Sequence, residues 1–204
     1  MSKKTLKIIK ICFSFSIAFV LVFTSLFTYR EHLAETYELT FLSSFIVGIF
    51  FIACAICIIF NKRVPQILYL CATILLLIVF FVCIAFSNQF QMSGGFAFLH
   101  IVNPLLVLVY YLLLCDLTKT TLKLVPMVAA IPLSYLAFVL TFGAVTGNYI
   151  YFFMNYEKVG IWYSVLFILG ILVGIFLFGF ALYYLNRLIQ KLVNKKRNNN
   201  EAKQ

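Results

Sequence analysis

The chain has 204 residues, 64% of which are hydrophobic, and only 11% carry a charged side chain, against about 25% in an average soluble domain. Its mean hydropathy is +1.07. A soluble fold of this size could not bury so much apolar surface. The composition therefore excludes a soluble enzyme, a nucleic-acid-binding domain and a disordered chain, and it indicates a protein of the lipid bilayer.

Six apolar runs are long enough to cross a membrane, since a transmembrane helix needs about 20 such residues. They lie at residues 11–29, 39–60, 66–87, 97–115, 124–143 and 161–186. The runs are about twice as long as the strands of a membrane β-barrel, and most of their connectors are short, so neighbouring helices run antiparallel. We predict an all-α membrane protein, a bundle of six transmembrane helices over residues 11–186. A basic N-terminus at residues 1–10 and a basic tail at residues 187–204 flank the bundle.

The first run begins after four lysines, as a secretory signal peptide does. However, its 19 apolar residues exceed the 7–15 of a signal sequence, and no Ala-x-Ala cleavage site follows. We therefore expect an uncleaved first helix.

The positive charges predict the orientation of the bundle. With the N-terminus in the cytoplasm, 14 of the 16 Lys and Arg residues lie on the cytoplasmic side, and only Arg30 and Lys158 lie outside. The opposite orientation would invert this ratio, so the positive-inside rule predicts that both termini are cytoplasmic, in the cell (plasma) membrane. The net charge of +10 is explained by these basic flanks. We expect membrane lipids as partners, with the basic C-terminal segment near anionic headgroups, and no nucleic acid.

Cysteine, glycine and histidine patterns favour structural roles. All six cysteines lie within or at the ends of apolar runs, so we expect no disulfide framework and interpret Cys54-x-x-Cys57 as small hydrophobes. Gly170-x-x-x-Gly174 permits close helix contact, which we expect within the bundle. With only two histidines, on different segments, we expect neither a metal nor a cofactor.

Ionisable groups are costly inside a bilayer and so indicate function. None of the six runs has Asp, Glu, Lys or Arg well inside it, but His100 lies about one turn into the fourth run. Thr40 begins the second run, which shares its outer end with the fourth. Ser43 and Ser44 follow Thr40 at i+3 and i+4, and Asn103 follows His100 at i+3, so each group shares one helix face.

The fifth connector returns to the same outer side with Asn148, Tyr149 and Tyr151. Polar groups from three segments are therefore expected to converge in a shallow outer cavity.

A Thr with a His is a minimal acyl-transfer pair, because a hydroxyl becomes nucleophilic when a base takes its proton. Backbone N–H groups at a helix N-terminus, or an Asn side chain, could stabilise the oxyanion. We place Glu38 among the headgroups, so the hypothesis is a dyad without a carboxylate. Two simpler interpretations stay open: Thr40 as a helix cap or back-bonded hydroxyl, and His100 as a hydrogen-bonding partner of a neighbouring helix.

Three segments of the sequence resemble one known family. They are LTFLSS at 39–44, LHIVNP at 99–104, and P-x-x-Y at 132–135 followed by GAVTGNYIYFF at 143–153. In order and spacing they are similar to the androgen-induced protein and androgen-dependent TFPI-regulating protein family of multipass membrane proteins, with its bacterial relatives.

The resemblance implies a threonine hydrolase, because characterised animal members cleave fatty acid esters of hydroxy fatty acids. It implies Thr40 as the nucleophile and His100 as the catalytic histidine. Residues expected to bind substrate or support the pair are Ser43, Ser44, Asn103, Tyr135, Asn148, Tyr149 and Tyr151.

The chain also departs from the family. Ser43 stands where animal members have Asp, Ser44 where many bacterial relatives have Asn, and residues 149–153 lack the two prolines of the Tyr-Pro-Tyr-Pro-Phe loop.

The functional hypothesis is a membrane lipid-ester hydrolase, in which Thr40 attacks a hydrophobic ester entering from the outer leaflet and His100 is the base. The alternative is a non-catalytic or transporter-like bundle that binds lipids or small molecules. A third interpretation is an assembly partner of other membrane proteins. No oligomeric state is predicted.

Overall fold

A computed structural model describes residues 3–86 and 94–201, and within these ranges the chain is helical and has no strand. Six helices are long and apolar enough to cross a membrane. They are α1 (Lys3–Tyr29), α2 (Leu39–Ile59), α3 (Gln66–Ala85), α4 (Gly94–Leu114), α5 (Leu122–Thr146) and α6 (Ile161–Glu201). The prediction of an all-α chain with six helices of membrane-spanning length and hydrophobicity is confirmed for the described residues.

The outer helices extend beyond the predicted bundle limits. α1 begins at Lys3 and α6 continues to Glu201, so most of the basic N-terminus and tail is helical. Lys and Arg have high helix propensity, which favours continuation of both helices through the basic segments. The predicted end of the third span, at Ser87, lies outside the described residues.

α4 changes its hydrogen-bonding register where His100 lies. An α-helical turn, Gly94–Ala97, is followed by a π-helical turn, Phe98–Val102, and then by α-helix over Asn103–Leu114. The Asn103 N–H accordingly donates to the Phe98 carbonyl, five residues earlier. Pro104 has no N–H to offer the His100 carbonyl, and its ring crowds that oxygen, which explains the wider turn. Such turns are frequent at functional sites.

The buried third helix is the centre of the bundle, and α2, α4, α5 and α6 contact it. α1 packs mainly on α2, where Gly48 lets Val22 approach so closely that a Cβ would lie 2.7 Å from its Cγ2. Large apolar side chains such as Phe19 and Leu166 are exposed on the outside of the bundle. This outer surface matches lipid as its solvent.

The connectors define two ends of the molecule. The connectors at 30–38 and 147–160 lie at one end, which we call the site end. The second of them follows Gly147, at φ +74°, and buries Phe153 and Met154 against Val139 of α5. The start of α1 and the connectors at 60–65 and 115–121 lie at the opposite end, which we call the basic end.

One packing expectation is wrong. A Cβ on Gly170 or Gly174 would meet no described atom within 4 Å, so this pair faces outward rather than into the bundle. The bundle instead contacts Gly179, where a Cβ would lie 3.0 Å from Val128. All six cysteines fall in the described ranges and are free thiols, and Cys54 is buried.

Candidate active site

The Thr40 hydroxyl and the His100 imidazole meet across the α2–α4 contact. Thr40 Oγ1 lies 3.3 Å from His100 Nε2, and each residue is only 8% exposed. The N-cap of α2 is Glu38, not Thr40. Buried helix hydroxyls elsewhere, such as those of Ser25 and Thr73, donate to the carbonyl four residues earlier. Thr40 instead directs its hydroxyl out of its own helix.

A backbone carbonyl orients the imidazole. His100 Nδ1 lies 2.9 Å from the carbonyl oxygen of Phe96, which can only accept, so Nδ1 carries the proton. In the neutral ring Nε2 is then an acceptor, and the Thr40 O–H donates to it. The Phe96 ring also stacks on the imidazole, with centroids 3.8 Å apart. The Phe96 carbonyl thus orients the imidazole, a role for which the sequence offered no carboxylate.

A second polar cluster lies one helical turn further into the bundle. Asn103 Nδ2 donates to Thr24 Oγ1 at 3.0 Å and to Ser44 Oγ at 3.3 Å, which ties α1, α2 and α4 together. Ser43 donates back to the Thr40 carbonyl at 3.3 Å. Ser43, Ser44 and Asn103, predicted to support the site, are not among the residues that line the cavity. Ser44 and Asn103 join neighbouring helices, while Ser43 bonds within α2.

Two tyrosines anchor the start of α2. The Leu39 N–H donates to the Tyr151 hydroxyl at 3.1 Å, and Tyr135 donates to the Tyr37 carbonyl at 3.2 Å while lying 3.3 Å from Tyr151. Burial raises the pKa of the Tyr151 hydroxyl to about 12, so it stays protonated at neutral pH. Both tyrosines line the cavity, as predicted.

Asn148 and Tyr149, also predicted to support the site, do not line it. Asn148 is exposed. Tyr149 packs over Gly143, where a Cβ would lie 2.5 Å from its ring, and stacks edge-on with Tyr156. Both therefore belong to the outer side of the connector.

Thr40 and His100 line a cavity of about 560 Å³ that is open at the site end. Its size falls within the roughly 300–1,000 Å³ typical of ligand pockets. Its inner wall is apolar and includes Ile168, Ile171, Leu172 and Ile175, spaced i, i+3, i+4 and i+7 along α6. Ile175 lies about 21 Å along the helix from Ile161 at 1.5 Å per residue, so the apolar wall reaches deep into the bundle.

The mouth of the cavity is acidic and aromatic. Tyr29, His32, Glu35 and Glu38 line it, and no lysine or arginine is among the described lining residues. Glu38, which we expected among the headgroups, lies at this mouth, and its Oε2 accepts a 2.6 Å hydrogen bond from Tyr29. Burial raises the pKa of the Glu38 carboxyl, and Glu35 adds to that effect, while the Tyr29 hydrogen bond opposes it.

Three features of this site have weak or no sequence signals. The Phe96 carbonyl has none, because backbone direction depends on the turn geometry. Pro104, four residues after His100, indicates the altered turn. The part of α6 that forms the cavity wall is apolar on every helix face, so the sequence pattern does not distinguish its cavity-facing residues from the others. Within the described ranges no cluster of His, Cys, Asp or Glu is placed to hold a metal ion.

No protein-family model, curated protein or solved structure matches this chain.

Proposed function

We propose that the protein is a membrane hydrolase of lipid esters that uses Thr40 as nucleophile and His100 as base. The observation that carries this proposal is the 3.3 Å Thr40–His100 contact, with Nδ1 engaged by Phe96, on the wall of a deep apolar cavity. The motif resemblance to threonine hydrolases supports the same two roles.

In the proposed reaction the Thr40 proton passes to His100 Nε2 while Oγ1 attacks the ester carbonyl carbon. The tetrahedral intermediate collapses with cleavage of the ester C–O bond, and the departing alcohol takes the proton from Nε2. Water then attacks the Thr40 acyl ester and gives a proton to Nε2. The second intermediate releases the carboxylic acid, and the proton returns to Oγ1.

Stabilisation of the oxyanion is assigned to the first turn of α2. The N–H groups at a helix start have no intrahelical acceptor and lie at the positive end of the helix dipole. Tyr151 takes the Leu39 N–H, so the N–H of Thr40 itself is the donor we assign to the oxyanion. Removing one such donor from a hydrolase costs about 10²–10³ in rate.

The decisive test is labelling of the purified chain by a fluorophosphonate probe, which reacts with an activated hydroxyl. Wild type is expected to label, and Thr40→Ala and His100→Ala to lose the signal, with a general-base loss of about 10²–10⁴ in rate. Ser43→Ala is the matched control, because it removes a neighbouring buried hydroxyl whose bond among the described residues is to the Thr40 carbonyl. Each variant is checked for an unchanged thermal midpoint.

Equal labelling of wild type and Thr40→Ala would refute the nucleophile. Inactivity of the wild type toward both the probe and a panel of lipid esters would refute the hydrolase.

The acidic mouth favours an ester whose exposed end is uncharged or cationic. Glu35 lies at the mouth 4.0 Å from His32, with no described lysine or arginine paired to it, since Arg30 pairs with Glu31 at 3.1 Å. A substrate carboxylate would meet repulsion there. Matched esters with one acyl chain and either a neutral or an anionic alcohol are expected to differ, with faster turnover of the neutral ester.

The second candidate is a bundle that binds lipid without chemistry. The depth and apolar character of the inner wall are suited to lipid binding. They are equally compatible with the hydrolase. A wild type that retains a fluorescent fatty ester through purification but neither cleaves it nor reacts with the probe would support this candidate.

We propose the orientation with the basic end in the cytoplasm of the cell membrane, and the site end outside. The charge distribution supports this orientation, because Arg30 and Lys158 are the only two of the 16 Lys and Arg residues in the sequence that belong to the site end. Alkaline phosphatase fused after residue 204 is expected to be inactive, and fused within 147–149 active. The opposite pattern would overturn the orientation.

A further inference from the structure

A second cavity, of about 260 Å³, lies at the basic end, remote from Thr40 and His100. Three cationic residues line it: Lys10 of α1, and Lys62 and Arg63 of the connector between α2 and α3. Its apolar side includes Ile58 and Leu114. A pocket with a cationic rim and an apolar wall is chemically suited to an anion that carries an apolar group.

Among the described residues, the cations of this second cavity have no carboxylate within ion-pair distance. Within the described ranges the ion pairs are Arg30–Glu31 and His32–Glu35, both at the site end. Asp116 lies near the cavity, but its Oδ1 accepts hydrogen bonds from Thr118 N–H and Oγ1 at 2.9 and 2.6 Å. Three positive side chains therefore line the cavity, and no described carboxylate lies within ion-pair distance of any of them.

Neighbouring hydrogen bonds hold the walls of the second cavity in place. Lys7 donates to Asn61 Oδ1 at 2.7 Å and to the Ile59 carbonyl at 3.2 Å, which joins α1 to the connector. Gln66 accepts from the Asp116 N–H at 3.1 Å and donates to the Val64 carbonyl at 3.1 Å. The rim is thus fixed by uncharged acceptors, which leaves Lys10, Lys62 and Arg63 for a ligand.

Tyrosine side chains form the inner end of this cavity. Tyr69 and Tyr110 line it and are only 4% and 2% exposed. The Tyr110 hydroxyl lies 3.0 Å from Ser14 Oγ, which secures that ring to α1. The rigid inner end limits the depth to which an anion can enter and keeps it near the rim.

We propose that this cavity binds a phosphate group, carried by an anionic phospholipid or present as free phosphate, with Lys10, Lys62 and Arg63 as its cationic ligands. A phosphate offers several acceptor oxygens, and Arg binds such anions in a bidentate manner while Lys adds a point charge. The inference does not depend on the proposed hydrolase, because no residue is shared between the two cavities.

The test is binding of two probes to the purified full chain in neutral detergent. Dioctanoyl phosphatidic acid and inorganic phosphate are titrated separately, and the bound fraction is measured by native mass spectrometry and by the shift in thermal midpoint. The site variant is Lys10→Gln/Lys62→Gln/Arg63→Gln. The matched control is Lys119→Gln/Lys123→Gln/Lys191→Gln, which removes the same charge from exposed residues that do not line the cavity.

The site variant is expected to bind phosphatidic acid at least roughly tenfold more weakly than wild type, as the loss of several charge-assisted hydrogen bonds requires. The control variant is expected to bind like wild type. Lys62→Gln/Arg63→Gln, which changes two exposed side chains, repeats the comparison if the triple variant unfolds.

The two probes distinguish the sources of the phosphate. Binding of phosphatidic acid that millimolar inorganic phosphate does not displace assigns the lipid headgroup, and displacement assigns free phosphate. Absence of binding by both probes, or equal weakening in the control variant, would overturn the proposal.

Discussion

Asn103 of α4 donates to Ser44 of α2 across 3.3 Å, one helical turn deeper than the contact between His100 and Thr40. The two contacts join the same pair of helices, and in each helix the deeper residue follows the shallower by three or four positions. The Asn103–Ser44 bond therefore sets the relative depth of α2 and α4 that brings the imidazole to the hydroxyl.

Replacing Ser44 by Ala is expected to lower the rate of ester cleavage or probe labelling by about tenfold, as small misplacements of reacting groups do. KM should change little, because Ser44 does not line the cavity. Ser44→Thr, which retains the hydroxyl, should restore the rate. Thr73→Ala, which removes a back-bonded hydroxyl from α3, is the control. A loss that Thr does not rescue would contradict a positioning role.

The same pair should be coupled in stability. A double-mutant cycle of Asn103→Ala and Ser44→Ala is expected to give an interaction energy of about 0.6–2 kcal/mol, the range of interhelical hydrogen bonds in membranes. The free energy of unfolding in mixed micelles measures it. Additive effects of the two substitutions would show that the bond contributes nothing.

Glu38 is expected to make stability decrease as pH rises. Its pKa is raised in the folded chain above its ordinary value of 4.5, so the folded protein binds the proton more tightly than the unfolded chain does. This contribution is fully present below pH 4.5 and is lost as pH rises through the folded pKa. Thermal unfolding of wild type and Glu38→Gln across this window should show wild type losing stability relative to the variant.

Glu31→Gln, at an exposed residue of the same connector, is the control for the Glu38 experiment, because Glu35 itself contributes to the raised pKa of Glu38. If the difference between wild type and Glu38→Gln is independent of pH or grows as pH rises, the assignment is wrong.

The Tyr151 hydroxyl is expected to be needed for the start of α2. Tyr151→Phe leaves the Leu39 N–H without its acceptor, which should cost about 1–3 kcal/mol in the free energy of unfolding. The labelling rate of Thr40 should fall with it, because Thr40 is the next residue. Tyr149→Phe, on the outer side of the connector, should leave both the midpoint and the labelling rate unchanged.

The apolar wall on α6 is expected to determine the acyl chain length. Ile171→Trp places a larger ring in the cavity and should reduce cleavage of a sixteen-carbon ester by at least about tenfold, while a four-carbon ester is affected much less. Leu169→Trp, on the exposed face of the same helix, is the control. Equal loss on both esters would indicate that the chain does not occupy this wall.

Most of the fold could be predicted from the sequence, because a bilayer requires each crossing segment to satisfy its own backbone. Apolar length alone then identifies a helix such as α3. The limits of α1 and α6 could not be predicted from hydropathy, since a helix can continue past the apolar region where Lys and Arg favour it.

The candidate site could be predicted only in part. Charge scarcity singled out His100, and helix direction placed Thr40 at the same end of the bundle. The distance between them depends on how α2 and α4 pack, and the spacing of residues within one helix does not predict that packing. For the same reason Ser44 and Asn103 were expected to line the cavity but are not among its lining residues.

Because of the π-helical turn at Phe98–Val102, the number of residues in this segment determines where the imidazole lies. Such a turn holds one more residue than the α-helical turn it replaces. Deleting Ile101 or Val102 would remove that extra residue and let a regular α-helical turn join the flanking segments. His100 and Asn103 would then be two positions apart instead of three and would no longer share one helix face, although no polar residue of the site had been substituted. The proposed base, specified by spacing as well as by identity, is therefore sensitive to a class of genetic change, the single-codon deletion, that ordinary substitution scans do not sample.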